Sequence, residues 1–456
     1  MGLLIVGDVG AVGAKYHAGD EAMLAAAIDE LTSRGFSNFT VISADPAETA
    51  ARYGVRSVGS LASTGPDSPS RDDLERRCQD ILDAARGHLS RRGWDDRAAE
   101  LIDEVAECDG LLVSGGGNLS SLWPEHIFER STLTSLANHF DKPVVFSGQM
   151  LGPHLTARDG ELMSQMLTGA NLVGLRDSHS FEISGQLGVD AARVQRTFDD
   201  AMFLRGGNPA VPAKPYCAIT VSPYAGLVEN DAFLDRLAGL LDSFAEQTGL
   251  SLLLLPHLAS LEPGQSTDDA AVNQALAARL KTTAIEKPIL DVRDIASLTR
   301  GASLSLSTRY HPVVFAVSGG VPAVGIPVDG YTQQKIVGAL ANVGLAELSL
   351  PAFALASSAA ANHVDQIWQQ RDRISEHLLA NLPAAQAHQD RWWDRVAGVF
   401  NHRGPAPVEP FSPVPLTVFP PAASGDMARL LNWQTLAADT SITSRIAGDV
   451  QSSSEI

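Results

Sequence analysis

The sequence predicts an α/β protein made of two doubly wound domains that face a central cleft. Three observations predict it. Short, continuously apolar runs alternate with amphipathic segments through most of the 456 residues. Each run ends in a polar or glycine-containing turn, the pattern of parallel strands covered on both faces by helices. The alternation halts at Gly206-Gly-Asn-Pro-Ala-Val-Pro-Ala-Lys-Pro215 and then restarts, which marks a linker between two units. The chain is also longer than one hydrophobic core normally organises.

The first domain is expected over residues 1–205. Leu3 to Val6 forms its first strand. Met23, Leu24, Ala27, Ile28 and Leu31 then share one helical face. Phe39 to Ser43, Gly110 to Ser114, Pro143 to Ser147 and Leu172 to Leu175 are further strands. Residues 66–108 break this rhythm as a helical insertion, with Leu74, Cys78, Ile81 and Leu82 lining one segment and Leu101, Ile102 and Val105 the other. Packing on the sheet explains it more simply than a lid does. After the linker at 206–215, a second domain over 216–381 carries strands at Tyr216 to Val221, Leu252 to Leu255, Ile289 to Val292, Ala302 to Leu306 and Pro322 to Ile326. Residues 382–456 read as a terminal helix containing Trp392, Trp393, Val396 and Val399, followed by a tail. Prolines between Gly404 and Pro421 exclude a regular helix or central strand there, and Gln451 to Ile456 is expected to be disordered.

Composition narrows the function. Hydrophobic residues make up 45% and charged residues 19%, as in a soluble globular protein, and the net charge is −19. Such an acidic chain lacks the basic surface that nucleic acid requires, and it would be repelled by anionic membranes. An anionic substrate would have to be held by local cations and helix N-termini. Cys78, Cys108 and Cys217 imply neither a disulfide framework nor a zinc ribbon. No apolar run is long enough to span a bilayer. The first residues run into a glycine turn without a basic leader, so the expected location is cytoplasmic.

Candidate site residues cluster at the expected carboxyl ends of strands, where open α/β sheets bind ligands. Ser307-Thr-Arg-Tyr-His-Pro312 follows one such strand. Arg309 offers a fork of donors for phosphate or carboxylate, and His311 exchanges protons near neutral pH. Gly7 to Gly13 followed by Gly19-Asp-Glu-Ala22 forms a glycine loop and a helix start, an anion or diphosphate site. Asp20 and Glu21 also suit the positive end of that helix. The glycine spacing is not G-x-G-x-x-G, so Asp45 does not complete a dinucleotide site. Gly115, Gly116, Gly117 and Asn118 follow another strand and let a ligand approach the backbone, with a helix expected near Leu119. Gln149, in Ser147-Gly-Gln-Met-Leu-Gly-Pro153, either contacts a ligand or braces its loop. Arg176 beside Asp177 is a buried ion pair or a substrate clamp, and Lys335 a possible anion contact. His257, taken alone, reads as structural. Asp199 and Asp200 lack the gap of a metal-binding D-x-D, and no other metal constellation is evident.

Taken in order, Gly19-Asp-Glu-Ala22, Gly115-Gly-Gly-Asn118, Gly148-Gln-Met-Leu-Gly-Pro153, Arg176-Asp177-Ser178 and Ser307-Thr-Arg-Tyr-His311 resemble the polysaccharide pyruvyl transferase family over residues 3–340. The resemblance implies a GT-B-like fold of two Rossmann-type domains. It also implies transfer of a pyruvyl group from phosphoenolpyruvate, as co-substrate and without a further cofactor, to a carbohydrate acceptor. The usual product is a cyclic ketal on a polysaccharide, oligosaccharide or glycolipid of the cell envelope. On this resemblance Arg309 binds the donor and His311 is the acid/base. Gly115 to Asn118 and Lys335 belong to the donor side, and Asp20, Glu21, Gln149 and Arg176 to the acceptor side or the scaffold. His17 departs from the asparagine usual in the family at that position. The competing readings are a GT-B glycosyltransferase using a nucleotide sugar and a catalytically silent sugar-binding protein.

Overall fold

The computed structural model describes residues 1–61, 70–91, 96–226, 228–403 and 411–419. Its strands are β1 (Gly2–Val6), β2 (Lys15–His17), β3 (Asn38–Ser43), β4 (Arg56–Gly59), β5 (Gly110–Val113), β6 (Gly116–Leu119), β7 (Val144–Leu151), β8 (Leu172–Leu175), β9 (Val194–Arg196), β10 (Tyr216–Thr220), β11 (Ser251–Leu254), β12 (Leu258–Ser260), β13 (Ala284–Glu286), β14 (Leu304–Ser307) and β15 (Ala323–Gly325). The first sheet has the order β4-β3-β1-β5-β7-β8-β9, with β6 added beside β7. The second has the order β13-β11-β10-β14-β15. Every pair in both sheets is parallel. This is the GT-B-like arrangement: both sheets wind outward in two directions from a central strand, β1 in one and β10 in the other.

The strands are apolar on both faces because helices cover both faces. Leu3, Leu4, Ile5 and Val6 of β1 are all buried, as are Leu252, Leu253 and Leu254 of β11. The helix Ala18–Ser33 lies between the two sheets. Its Leu24, Ala27 and Leu31 pack into the core of the first domain, while Ala22, Met23, Ala25 and Ala26 pack into that of the second. This two-sided burial explains its run of small residues. Arg293 crosses from the second unit to hold Asp29 of this helix with two bonds of 2.8 and 3.0 Å.

The insertion packs on the first sheet. Ile81, Leu101, Ile102 and Val105, from helices Arg71–Ala85 and Asp96–Glu107, join Leu4, Val6 and Val113 in one cluster. Among the described residues no helix is long and apolar enough to cross a membrane.

Several elements differ from the sequence expectation. Ile289 to Val292 is not a strand: Asp291 caps the helix Val292–Arg300 by accepting from the Arg293 backbone, and the outer strand is β13, earlier in the chain. The segment Ser147 to Leu151 is not a loop but the irregular end of β7, whose register to β8 shifts between Phe146 and Gln149. After Gly115 the chain forms strand β6, and the next helix begins only at Pro124. The terminal helix starts at Arg371, ahead of the expected break at 382, and continues through Pro383 to Phe400. Its first turns pack on the second core through Ile374 and Leu378, and its last turns on the first through Trp392, Trp393 and Phe400. Of the proline-rich stretch, residues 411–419 run without regular structure: Phe411 meets the Phe198 ring of the first unit at 4.9 Å, and Leu416 donates its backbone N–H to the Gly344 carbonyl of the second at 3.0 Å. Gln451 to Ile456 lies outside the described residues.

The long helix seals one buried acid. Asp200 Oδ1 accepts from Ser147 Oγ at 2.8 Å and from Gln389 Nε2 at 3.3 Å, and the Trp392 indole donates to the same serine. Oδ2 is buried with no hydrogen-bond partner among the described residues. Burial, helped by the neighbouring Asp199 carboxylate, pushes the Asp200 carboxyl up to about 8. The folded value therefore lies above the unfolded value of about 3.9. The stability this group contributes is complete at acid pH and is lost as pH rises through the folded value. Asp200→Asn cannot ionise, so it should gain stability relative to wild type as pH rises from about 4 to 8. Urea unfolding of both proteins at pH 5 and pH 8.5 checks this; a constant difference would mean that Asp200 does not titrate in that window.

Candidate functional site

The carboxyl ends of both sheets face one seam. Gly7 to Gly13 leave β1 and Ser114 to Gly115 leave β5, on either side of the switch point of the first sheet. Arg309 and His311 follow β14, beside the switch point of the second. The seam is closed at one end by β2 pairing antiparallel with β12, and by the Ala18 backbone N–H donating to the His257 carbonyl at 2.9 Å. At the other end Tyr331, on the helix Gly330–Ala341, donates its hydroxyl to the Gly117 carbonyl at 2.8 Å.

Two glycines make these contacts possible. A Cβ on Gly19 would lie 2.2 Å from His311 Nδ1, so the imidazole rests directly on the first turn of the helix Ala18–Ser33. A Cβ on Gly117 would lie 2.9 Å from Tyr331 Oη and 3.0 Å from both Arg176 Nη2 and Lys335 Nζ. The structure thus brings His311, Arg176, Lys335, Asp20 and Gly117 to one place. Gly115 lies against Met23, and Gly116 against Asn118 and Gln149. Asn118 turns to Asp8, donating at 3.3 Å.

Each arginine has a buried carboxylate. Arg176 Nη1 donates to Asp199 Oδ2 at 2.7 Å, and its guanidinium stacks 4.3 Å from the Tyr310 ring. Arg309 uses Nε and Nη2 on the fully buried Asp269, at 3.2 and 2.6 Å, and its Nη1 makes no hydrogen bond among the described residues. Asp269 also accepts from the backbone N–H groups of His257 and Leu258, both at 3.0 Å. Arg309 is therefore fixed by its inner edge. Lys335 donates to Tyr331 Oη at 2.8 Å, and among the described residues it has no carboxylate within ion-pair distance. Burial, then Arg176, brings the Lys335 ammonium down to about 7.

The histidines respond in different ways. Burial lowers His311 to about 4; Asp199 and Asp20 oppose this, while Arg176 and Lys335 add to it. Its ring is neutral at pH 7. His257 is held well below the usual range by burial first and by His311, Arg309 and His17 next. Burial alone would also lower His17, but its ion pair with Asp20 outweighs this and holds the ring above its ordinary value. Asp20 is held well below the carboxylate range: His17, His311 and Lys335 together outweigh the burial that would raise it.

Two predicted site residues face inward. Gln149 donates its amide to the carbonyls of Val113, Ser114 and Ser147, so it braces β5 against β7. Glu21 accepts from the Gly10 backbone at 3.0 Å and from the Tyr53 hydroxyl, so it supports the glycine loop. Asp269 and Asp199 carry the arginines, and the sequence reading assigned a role to neither. Asp269 resembles any acid at a helix start. Asp199, beside Asp200, suggests in sequence only a metal ligand. Among the described residues no three His, Cys, Asp or Glu side chains gather as a metal site.

Gly117→Ala is expected to wedge the seam, because the clashing groups are packed from both sides. A loss of about 1–3 kcal/mol is the usual cost of such overpacking. The urea midpoint reads it, and an unchanged midpoint would show that the Tyr331 contact yields freely.

Comparison with known proteins agrees with this architecture. Among solved structures, UDP-GlcNAc 2-epimerase from Neisseria meningitidis bound to UDP-GlcNAc superposes with a TM-score of 0.51 at 12% identity, covering 83% of this chain and 94% of that one. The S. aureus MnaA–UDP structure gives 0.54 at 10% identity, covering 91% and 99%. At such identities the likeness is one of fold. Among curated proteins, the amylovoran biosynthesis protein AmsJ of Erwinia amylovora is 21% identical over 299 residues, or 61% of this chain and 70% of AmsJ. The family profile described as polysaccharide pyruvyl transferase matches residues 17–330, from the histidine before the Gly19 turn to the helix that carries Tyr331 and Lys335. The chain belongs to the polysaccharide pyruvyl transferase family.

Proposed function

We propose that this protein transfers a pyruvyl group from phosphoenolpyruvate to a sugar of a polysaccharide, oligosaccharide or glycolipid, forming a cyclic ketal. The observation that carries the reading is the convergence of Arg176, Arg309 and Lys335 around His311 in one seam of a chain whose net charge is −19. Such a cluster suits a small donor with several negative charges, because only local cations can overcome the global field. The match to AmsJ, a protein of amylovoran biosynthesis, supports a carbohydrate acceptor.

The chemistry assigns work to these groups. Arg309, Arg176 and Lys335 hold the donor's phosphate and carboxylate and neutralise charge. The proton of one acceptor hydroxyl passes through His311 to the C3 methylene of the donor, which becomes a methyl group. The hydroxyl oxygen bonds to C2. A second hydroxyl then bonds to C2 as the C2–O bond to phosphate breaks, and phosphate leaves with that hydroxyl's proton. Gly117 lets Arg176 and Lys335 close on the backbone, where they meet the donor. Asp20 holds His17 at the acceptor side.

Phosphoenolpyruvate should raise the melting temperature of the purified protein, since a ligand at one hundred times its Kd adds about 2.7 kcal/mol. Arg309→Ala should abolish the shift. Arg309→Lys should also weaken it, because an ammonium lacks the rigid fork that holds Asp269 along one edge and presents another N–H to the donor. A shift with UDP-GlcNAc and none with phosphoenolpyruvate would overturn the reading in favour of glycosyl transfer.

A further inference from the structure

We propose that Asp199 is the positioning residue of His311: it keeps the ring proton on Nε2 and leaves Nδ1, on the Gly19 side, to exchange protons with the reactants. The inference rests on the pyruvyl-transfer reading only for what Nδ1 then does. The arrangement of the ring is a property of the free protein.

Four observations support it. Asp199 is buried and its two oxygens face different groups. Oδ2 accepts from Arg176 Nη1 at 2.7 Å, while Oδ1 accepts from the Ala201 backbone at 2.9 Å and faces His311 Nε2 at 3.7 Å. His311 Nε2 is itself buried and lacks any hydrogen-bond partner among the described residues. A buried ring nitrogen beside an acceptor-only carboxylate is satisfied when it carries the proton. The opposite nitrogen, Nδ1, rests against Gly19, where only a residue without a side chain leaves room for the ring, and among the described residues it makes no hydrogen bond.

The groups around the ring fix its charge as well. Asp199 precedes the turn Asp200–Phe203, Arg176 follows β8, Asp20 lies on the helix Ala18–Ser33 and Lys335 on the helix Gly330–Ala341. His257 follows β11, and the rings of Tyr310 and Phe315 flank the imidazole at 5.0 and 6.0 Å. Burial keeps the ring neutral, with Arg176 and Lys335 working against Asp199 and Asp20, so it has one proton to place. Of the carboxylates, Asp199 is the one that faces Nε2. The 3.7 Å separation is longer than a hydrogen bond, as contacts of this kind often are before a substrate arrives.

The consequence for the reaction is specific. Nδ1 accepts the acceptor's hydroxyl proton and gives it to C3. The Nε2 proton stays in place and Asp199 remains ionised, stabilising the transient imidazolium. A carboxylate that fixes the tautomer without taking the proton acts in the same way in the serine-protease triad.

The test reads the tautomer directly. The protein is labelled with 15N in histidine, and long-range 1H–15N spectra are recorded at pH 8 without ligand. His311 is assigned by its absence in His311→Gln. The wild type should show a protonated Nε2 and a bare Nδ1. In Asp199→Asn the pattern should shift toward a protonated Nδ1, because the asparagine amide can donate to Nε2. A wild-type ring protonated on Nδ1, or an equal mixture, would overturn the proposal, as would an unchanged tautomer in Asp199→Asn. If Asp199→Asn fails to fold, the wild-type spectrum alone decides. A protein that ignores phosphoenolpyruvate yet shows the expected tautomer would refute the donor assignment and leave this one standing.

Discussion

The seam depends on three buried or partly buried carboxylates that hold basic side chains in place: Asp199 on Arg176, Asp269 on Arg309 and Asp20 on His17. Burying charge is costly unless it is paired and hydrogen-bonded, and removing one partner leaves the other stranded. The pairs therefore do more than stabilise. In both arginine pairs, part of the guanidinium stays off the carboxylate. Arg309 shows this most clearly, with Nε and Nη2 on Asp269 and Nη1 uncommitted among the described residues. On the proposed function, a donor site built in this way is preorganised, since its guanidinium does not have to be ordered when the ligand arrives.

Because the cations come from both units, the relative placement of the two sheets is part of the site. Arg176 follows a strand of the first sheet and Arg309 a strand of the second. Three features hold them in register. The helix Ala18–Ser33 buries one flank in each core, β2 pairs with β12, and the helix Arg371–Phe400 runs from the second core to the first. The small residues of the first helix allow the close approach that puts Gly19 under His311. A bulkier helix would hold the two motifs apart even if each folded correctly.

Much of the fold was legible because buried parallel strands leave a simple trace. Runs such as Leu252 to Leu255 have no polar face to confuse the reading. The misread strand at Ile289 to Val292 failed because four apolar-rich residues fit a strand as well as the lead-in to a helix, and the Asp291 cap decided the matter locally. The motif residues His311, Arg309 and Arg176 could be singled out because they follow strand ends. Their partners could not. Asp269 lies 40 positions from Arg309, and Asp199 lies 23 from Arg176, and nothing in their local patterns announces the pairing. Gln149 and Glu21 show the converse. They lie within the motifs, but three-dimensional hydrogen bonding turns their side chains into the scaffold.

The charge balance of the seam explains why His311 and Lys335 are both displaced toward neutrality. Asp199 and Asp269 are each shared with an arginine and Asp20 with His17, so little negative charge remains for the other two groups. Burial and Arg176 then drive Lys335 to about 7, and burial with the same arginine drives His311 to about 4. A donor anion would reverse both pressures at once, since it brings negative charge to the side of the seam where the buried carboxylates are already committed. The unliganded site is thus short of anions by construction. On the proposed function, protonation of His311 and Lys335 becomes more favourable when the donor supplies the missing charge, so that donor binding and proton transfer draw on the same electrostatic deficit.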